Sequence, residues 1–214
     1  FWDSTMRTVI IGASGFGGEV VWVCQRAGIE VAGFCDDAAD KQTGSFAELP
    51  LLGMIEAAAA RLGQNVGFHI AVGNNRARQQ LAARARQVGW QPVTVQDPSA
   101  HCAPCAVIGE GSYIGIGSVV STKTRLGSFV IINHHGTVGH DCDVADYAQI
   151  CPGVRVSGGC RVGEGALLGS NAVTLPGINV GAWAVLGAGG VALRSIADGA
   201  HQVRLGAGIG GSKR

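Results

Sequence analysis

Apolar residues in the second half of the chain recur every six positions. From Ile108 the register runs through Ile114, Val120, Leu126, Ile132, Val138, Val144, Ile150, Val156, Val162, Leu168, Thr174, Val180 and Leu186, and thirteen of these fourteen residues are aliphatic. The fourth residue after each is mostly small, as at Ser112, Ser118, Thr124, Gly136, Cys142, Ala148, Cys160, Ala166 and Ala172. An α-helix repeats every 3.6 residues and a strand every two, so a period of six belongs to neither element alone. It is the signature of a solenoid, a hexapeptide parallel β-helix with the aliphatic column inside. No insertion breaks the register between residues 108 and 191, which predicts continuous coils with no extruded loop.

The first half has another rhythm. "RTVIIG" is a short buried-strand run, "GASGFGG" a glycine turn, and "EVVWVCQRAG" a helix closing at Gly28. "EVAGFCDD" and "GFHIAVG" read as further strands, "NNRARQQLAARARQVG" as a helix capped by Asn74 or Asn75, and "WQPVTV" as a fourth strand. Strands alternating with helices imply a parallel sheet. The chain therefore divides into an α/β unit over residues 6–96, a β-helix over 97–205 and a tail over 206–214.

Composition narrows the field. Glycine makes up 35 of 214 residues, aromatics only 6%, and charged residues 14% with a formal net charge of +1. Such a chain makes many tight turns around a thin core, and its charge argues against a broad nucleic-acid footprint. No apolar run reaches the ~20 residues of a membrane span. No secretory signal stands out; "FWDST" before Met6 reads as a cloning remnant. Seven cysteines without such a signal suggest reduced thiols in a cytoplasm. Cys102 and Cys105 form one CxxC, but a zinc site needs two further ligands, and no metal is expected there.

Two stretches carry candidate chemistry. "GASGFGG", between a strand and a helix, is a phosphate-cradling turn. A unit of about ninety residues lacks the two mononucleotide halves of a dinucleotide fold, so a single nucleotide fits it better. Asp36 and Asp37 end the second strand, the usual place for a carboxylate on a ribose or base edge. The other stretch is "INHHGTVGHDCDV", with three histidines, an asparagine and two aspartates. It leaves open a metal site, a catalytic base with its support, or polar residues on a surface turn.

The matches "GASGFGGEVV", "FCDD", "AVGNN", "DPSA", "NHHGTVGHDC", "PGVRVSGGCRVGEGALLGSNAVTLPG" and "VLGAGGVA" run in order along almost the whole chain. Through them it resembles the hexapeptide-repeat acetyltransferases, in particular the nucleotide-sugar N-acetyltransferases and sialic acid O-acetyltransferase-like proteins. The resemblance implies a Rossmann-like α/β unit followed by a left-handed parallel β-helix whose coils are triangles of three hexads. Residues 108–191 would then make between four and five coils. It also implies a homotrimer that binds acetyl-CoA between neighbouring subunits.

With 18 residues per coil, residues 18 apart stack at about 4.8 Å. His140, third in its hexad, then faces outward at a corner with Gly158 directly above it. The resemblance makes His140 the general base, Asp141 the residue that raises its basicity, and Gly158 a donor to the thioester oxygen. It places Asn133 near the acceptor amine, and Gln149, Gly158, Ser170 and Ala188 along acetyl-CoA. It gives the nucleotide to Ser14, Gly15, Phe16, Asp36, Asp37 and Gly73. His134 and His135 point outward one corner earlier and read as surface or subunit-interface residues, since no third metal ligand is evident. Cys142 and Cys160 stack inside the coil as packing residues.

The chain departs from the family pattern at three places. Phe16 replaces a histidine of the glycine turn, Gln149 replaces a second histidine that contacts CoA, and "GAGIGG" (206–211) replaces a C-terminal G-x-P-A. The implied activity is acetyl-CoA-dependent N-acetylation of the 4-amino group of a UDP- or GDP-linked 4-amino-4,6-dideoxy sugar, for surface glycan synthesis. The alternatives are O-acetylation of sialic acid or another sugar, a catalytically inactive nucleotide-sugar-binding trimer, and a β-helical carbonic anhydrase. The α/β unit joins the β-helix near its first coils, so an axial offset of about 10 Å separates its ligand from His140. A nucleotide diphosphate sugar spans that distance.

Overall fold

The structure is a computed structural model and describes residues 7–203. The stretch 206–211 and the tail lie outside the described residues.

The α/β unit is built on a four-stranded parallel sheet. In chain order its elements are β1 (Thr8–Ile11), α1 (Gly15–Arg26), β2 (Val31–Cys35), the antiparallel pair β3 (Ser45–Phe46) and β4 (Leu49–Pro50), α2 (Ile55–Leu62), β5 (Gly67–Ile70), α3 (Asn75–Gln87) and β6 (Gln91–Pro92). The sheet order is β2-β1-β5-β6, and every residue of the central strands β1 and β5 is buried. Helix α1 starts at Gly15, inside the stretch read from sequence as a turn. The reason is packing: a Cβ at Gly17 would lie 2.2 Å from the Gly12 carbonyl, so glycine lets the helix begin against the strand end. Asn74 caps α3, its Oδ1 accepting the Ala77 N–H at 2.9 Å.

"WQPVTV" is two strands rather than one. Gln91–Pro92 closes the α/β sheet at its edge, where a proline without an N–H is tolerated. Val95–Gln96 already pairs with Tyr113–Ile114 as the first strand of the β-helix. That helix is left-handed and makes about six turns, ending at His201–Gln202. Its first coil begins before Ile108 because Gln96 and Cys102 occupy the stacked positions below Ile114 and Val120, where no coil beneath has to be matched.

Each strand is two residues long and, up to Val191–Ala192, pairs with the strand 18 residues away, so Val120, Val138 and Val156 stack in register; the last, His201–Gln202, pairs 16 residues back. The column from Ile114 to Leu186 is buried throughout, and Ile108 is partly buried at its lower end. Hydroxyls inside the coil are satisfied locally: Ser118 Oγ donates to the Asn133 carbonyl at 2.9 Å and Thr124 Oγ1 to that of Gly139 at 2.6 Å. Cys142 and Cys160 are buried free thiols, and Cys142 Sγ lies 3.2 Å from the Ser157 carbonyl.

The turns follow the same period. The third residue after each inward aliphatic, from Gly111 to Gly189, has φ between 55° and 71°. Half of these left-handed positions carry side chains: Lys123, Phe129, His135, Asp141, Tyr147, Asn171 and Trp183. For most residues that conformation costs roughly 1–2 kcal/mol, so the aromatic ones need compensation from packing.

The compensation comes from the α/β unit. It covers the first face of the prism, the one that carries Tyr113 and Ile131, whose outward side chains are 0% and 1% exposed. Along one edge of that face, α3 lies on a column of turns: Phe129 and Tyr147 stack at 5.4 Å, and Phe129 also stacks on Phe68 at 6.1 Å. Arg76 lies 4.2 Å over the Trp183 ring and Asn75 donates to the Gly165 carbonyl at 2.9 Å. Along the other edge, Arg26 of α1 forms a two-pronged ion pair with buried Asp97 at 2.6 and 3.1 Å. The outward residues on the other two faces are mostly exposed, among them Val119, Arg155, Arg125 and Arg161.

Candidate active site

His140 sits in the turn after Thr137–Val138, at the corner between the two uncovered faces. Its Nδ1 lies 2.7 Å from Asp141 Oδ2. With Nδ1–H donating to that carboxylate, Nε2, beside Gly158, keeps the lone pair a base needs. Asp141 occupies the left-handed position at φ 56°, which aspartate tolerates better than most residues and which turns its carboxylate back toward the ring. The pair is solvent-accessible, with side chains 66% and 55% exposed.

The imidazole lies over Gly158. A Cβ there would be 2.5 Å from His140 Nε2 and 2.6 Å from Cε1, so only a bare backbone fits beneath the ring. The Gly158 N–H makes no hydrogen bond among the described residues, while the next N–H, of Gly159, donates to the His140 carbonyl at 2.8 Å. A base and a free backbone donor thus share one corner, an arrangement suited to acyl transfer.

Other predicted residues lie elsewhere in the same chain. Asn133, Ser170 and Ala188 occupy the preceding corner, between the covered face and the next, and Ser170 and Ala188 stack 18 residues apart. Gln149 stands on the covered face, where a Cβ added at Gly73 would be 3.8 Å from its Nε2; its Oε1 is buried without a partner. His134 belongs to the junction within the chain rather than to the surface. Its Nε2 lies 3.2 Å from Glu19 Oε2 on α1, and its ring meets the Tyr113 edge at 6.5 Å. His135 packs over Gly117. Among the described residues no group of three His, Cys, Asp or Glu side chains is placed to hold a metal, and no helix is long and apolar enough to cross a membrane.

In the α/β unit, Ile11, Gly12, Cys35, Asp36, Asp37, Ile55, Val72 and Leu81 line a cavity of about 130 Å³. Its walls are mostly apolar, the kind of surface against which a flat ring packs. The two aspartates differ in what they do. Asp36 accepts the Ala13 N–H at 2.9 Å and the Ala38 N–H at 3.0 Å, so it shapes the glycine turn. Asp37 is 47% exposed and paired with Arg84 at 2.6 and 3.1 Å. Ser14 precedes α1 without a side-chain cap, and Gly15 has open space around it, so the helix N-terminus is free to meet an anion. Phe16 instead turns its ring onto Tyr113 at 5.3 Å.

Two contributors escaped the sequence reading. Lys41 donates to the Ala13 carbonyl at 2.6 Å and stands 3.6 Å from Asp36, which brings a cation to the glycine turn. Arg84 bridges Asp37 and Glu56. Lys41 lies just before the hairpin, where the periodicity made no assignment, and Arg84 lies on α3, whose pattern showed a helix but not what its side chains reach.

The delivery geometry differs from the sequence expectation. The α/β unit covers the face of Tyr113 and Ile131, opposite the His140 corner. The solenoid body therefore stands between them within one chain.

Residues 7–85 match the family model described as the PglD N-terminal domain. Over 111 residues the chain is 31% identical to GDP-perosamine N-acetyltransferase of Escherichia coli O157:H7; the match covers 52% of this chain and 50% of that protein. The chain thus spans about half the length of this curated relative. Among solved structures, it is 32% identical to a perosamine N-acetyltransferase from Caulobacter crescentus, a variant with a histidine changed to asparagine, in complex with CoA and GDP-perosamine. The TM-score is 0.88, with 93% of this chain and 94% of that one covered. The acetyltransferase domain of PglB from Neisseria gonorrhoeae FA1090, in complex with acetyl coenzyme A, is 31% identical with a TM-score of 0.83, covering 91% and 94%. A triangular solenoid with a histidine–aspartate corner and an appended nucleotide-type α/β unit marks a β-helical acyltransferase. More narrowly, the chain belongs to the hexapeptide-repeat nucleotide-sugar acetyltransferase family.

Proposed function

We propose that the protein transfers an acetyl group from acetyl-CoA to the 4-amino group of a nucleotide-linked 4-amino-4,6-dideoxy sugar, in the cytoplasm, for surface glycan assembly. The observation that carries this reading is the His140–Asp141 pair set over the unoccupied Gly158 N–H. The amine attacks the thioester carbonyl while His140 Nε2 takes its proton. The Gly158 N–H holds the oxygen that becomes negative, and Asp141 stabilises the imidazolium. Collapse expels the CoA sulfur, which receives the proton from His140. The nucleotide sits in the α/β cavity, with its diphosphate at the N-terminus of α1 near Lys41. The ligand of the Caulobacter relative favours a GDP-linked sugar.

The same reading makes the working unit a homotrimer. In one chain the base faces away from the nucleotide cavity, from Gln149 and from the Ser170–Ala188 corner. A neighbouring copy around a three-fold axis supplies the missing half, with acetyl-CoA in the groove between them. Exposed Val119, Leu175, Val191 and Leu193 lie on or beside the His140 corner and give that contact apolar surface.

The test is a steady-state assay of CoA thiol release from acetyl-CoA with GDP- and UDP-linked 4-amino sugars and with their 4-hydroxy counterparts. Saturable release with the GDP-linked amine is expected. Release only with hydroxyl acceptors, or with none, overturns the reading.

A further inference from the structure

Arg78 is 1% exposed, and no carboxylate pairs with it among the described residues. Its guanidinium donates instead to four oxygens: Phe129 O at 3.1 Å, Val72 O at 2.9 Å, Asn75 Oδ1 at 3.0 Å and Tyr147 O at 2.6 Å. Burying a cation without a counter-charge is expensive, and a neutral side chain is the easier choice if only packing is needed. Burial lowers the pKa to about 10, so the group still carries its charge at neutral pH.

Three of the four acceptors are backbone carbonyls, one on the cavity wall and two on the β-helix, so the one side chain bonds to both units at once. Val72 walls the nucleotide cavity, and its Cγ2 would lie 2.9 Å from a Cβ on Gly12 of the phosphate turn. Phe129 and Tyr147 are left-handed corner residues of successive coils, and Tyr147 lies six residues beyond Asp141 in the coil that carries the base. One planar fork with five donors in fixed directions therefore ties the cavity wall to the catalytic coil. An ammonium has three donors at one point and cannot reach both sides in this pattern.

We infer that Arg78 is a positioning residue that fixes the nucleotide cavity relative to the β-helix, and through it sets where the sugar amine arrives at the catalytic corner of a neighbouring subunit. This rests on the acetyl-transfer reading above. Because the ligand is held at one end by the α/β unit, rocking of that unit displaces the amine at the other end. A 1 Å displacement of a reacting group costs on the order of 10²-fold in rate.

The experiment compares Arg78→Gln and Arg78→Lys with the wild type, well below their unfolding temperatures. It measures kcat with the nucleotide-linked amine, together with calorimetric affinities for that substrate and for acetyl-CoA. Arg78→Gln is expected to lower kcat by about 10- to 100-fold with both affinities within about 3-fold, and Arg78→Lys to recover part of the loss. A purely structural arginine lowers the unfolding temperature but leaves kcat of the folded protein unchanged, and that result overturns the inference. If Arg78→Gln does not fold, unchanged kcat in Arg78→Lys has the same force. Absence of acetyl transfer in the wild type removes the functional reading itself, whereas wild-type activity matched by both variants removes only the role of Arg78.

Discussion

Alanine at Gly158 adds one methyl group directly beneath the His140 imidazole, the proposed base. The new Cβ would lie 2.5 Å from His140 Nε2, 2.6 Å from Cε1 and 3.0 Å from Cδ2. Carbon contacts settle at about 3.5–4.0 Å, so the ring has to move outward by roughly 1 Å. Its Nδ1 bond to Asp141 turns the ring rather than letting it translate freely, and Nε2 leaves its line to the amine. The expected loss in kcat is about 10- to 100-fold, or about 1.4–2.7 kcal/mol of barrier. Gly158 is not in the left-handed region, so alanine brings no backbone strain and the fold should be unaffected. Gly159 supplies the control. It sits at φ 70° with nothing nearer to an added Cβ than the Gly177 nitrogen at 3.9 Å. Gly159→Ala should lose roughly 1–2 kcal/mol of stability and keep its turnover. The assay is CoA release at saturating substrates, paired with thermal unfolding. Wild-type turnover in Gly158→Ala, or an equal loss in Gly159→Ala, refutes the stacked geometry.

His140→Ala or His140→Asn should lower kcat by about 10²–10⁴-fold with little change in acetyl-CoA affinity, and Asp141→Asn should cost less, as kinetics and calorimetry will show. His69, buried on β5 with its Nδ1 2.8 Å from the Val93 carbonyl, has its pKa lowered by burial to about 4. A depressed folded pKa means stability that is complete above the unfolded value near 6.5 and lost as pH falls toward 4. Urea unfolding should therefore show a loss of roughly 2 kcal/mol between pH 7.5 and 5, which a His69→Gln variant lacks. The bond from Arg26 holds the Asp97 carboxyl down at about 2. Its contribution, of order 2 kcal/mol, is present above about pH 4 and lost as pH falls through 2; Asp97→Asn should remove that acid transition.

The β-helix was legible because its signal is redundant. Every sixth residue from Ile114 to Leu186 faces inward, and one arithmetic step of 18 places Gly158 above His140. The coil ends were less legible, since Gln96 and Gln202 stack on aliphatic residues without being aliphatic themselves. The docking of the two units was not legible at all. The pattern gave α3 only as a helix, yet its Asn75, Arg78, Gln79 and Arg86 bond to turns at 165, 129, 147, 164 and 110. Phe129, Tyr147 and Trp183 gave no warning either, because aromatics are poor candidates for left-handed turns until a helix lies over them. Periodicity assigns each solenoid residue to a face or a corner; it carries no information about which face the α/β unit covers. For that reason the opposition of cavity and His140 across the prism was missed.

In the proposed homotrimer, that opposition makes catalytic competence a property of pairs of chains. In one chain Gly15→Glu puts a carboxylate at the N-terminus of α1, where an added side chain meets no obstruction and repels a diphosphate. In another, His140→Asn removes the base. Each preparation alone should be inactive. Dissociated, mixed in equal amounts and reassembled as cyclic trimers, they should recover about one quarter of wild-type activity, because each groove draws its two halves independently from the two parents. Two defective chains then rescue each other, and a heterozygous cell carrying both alleles would make the product that neither allele supports alone.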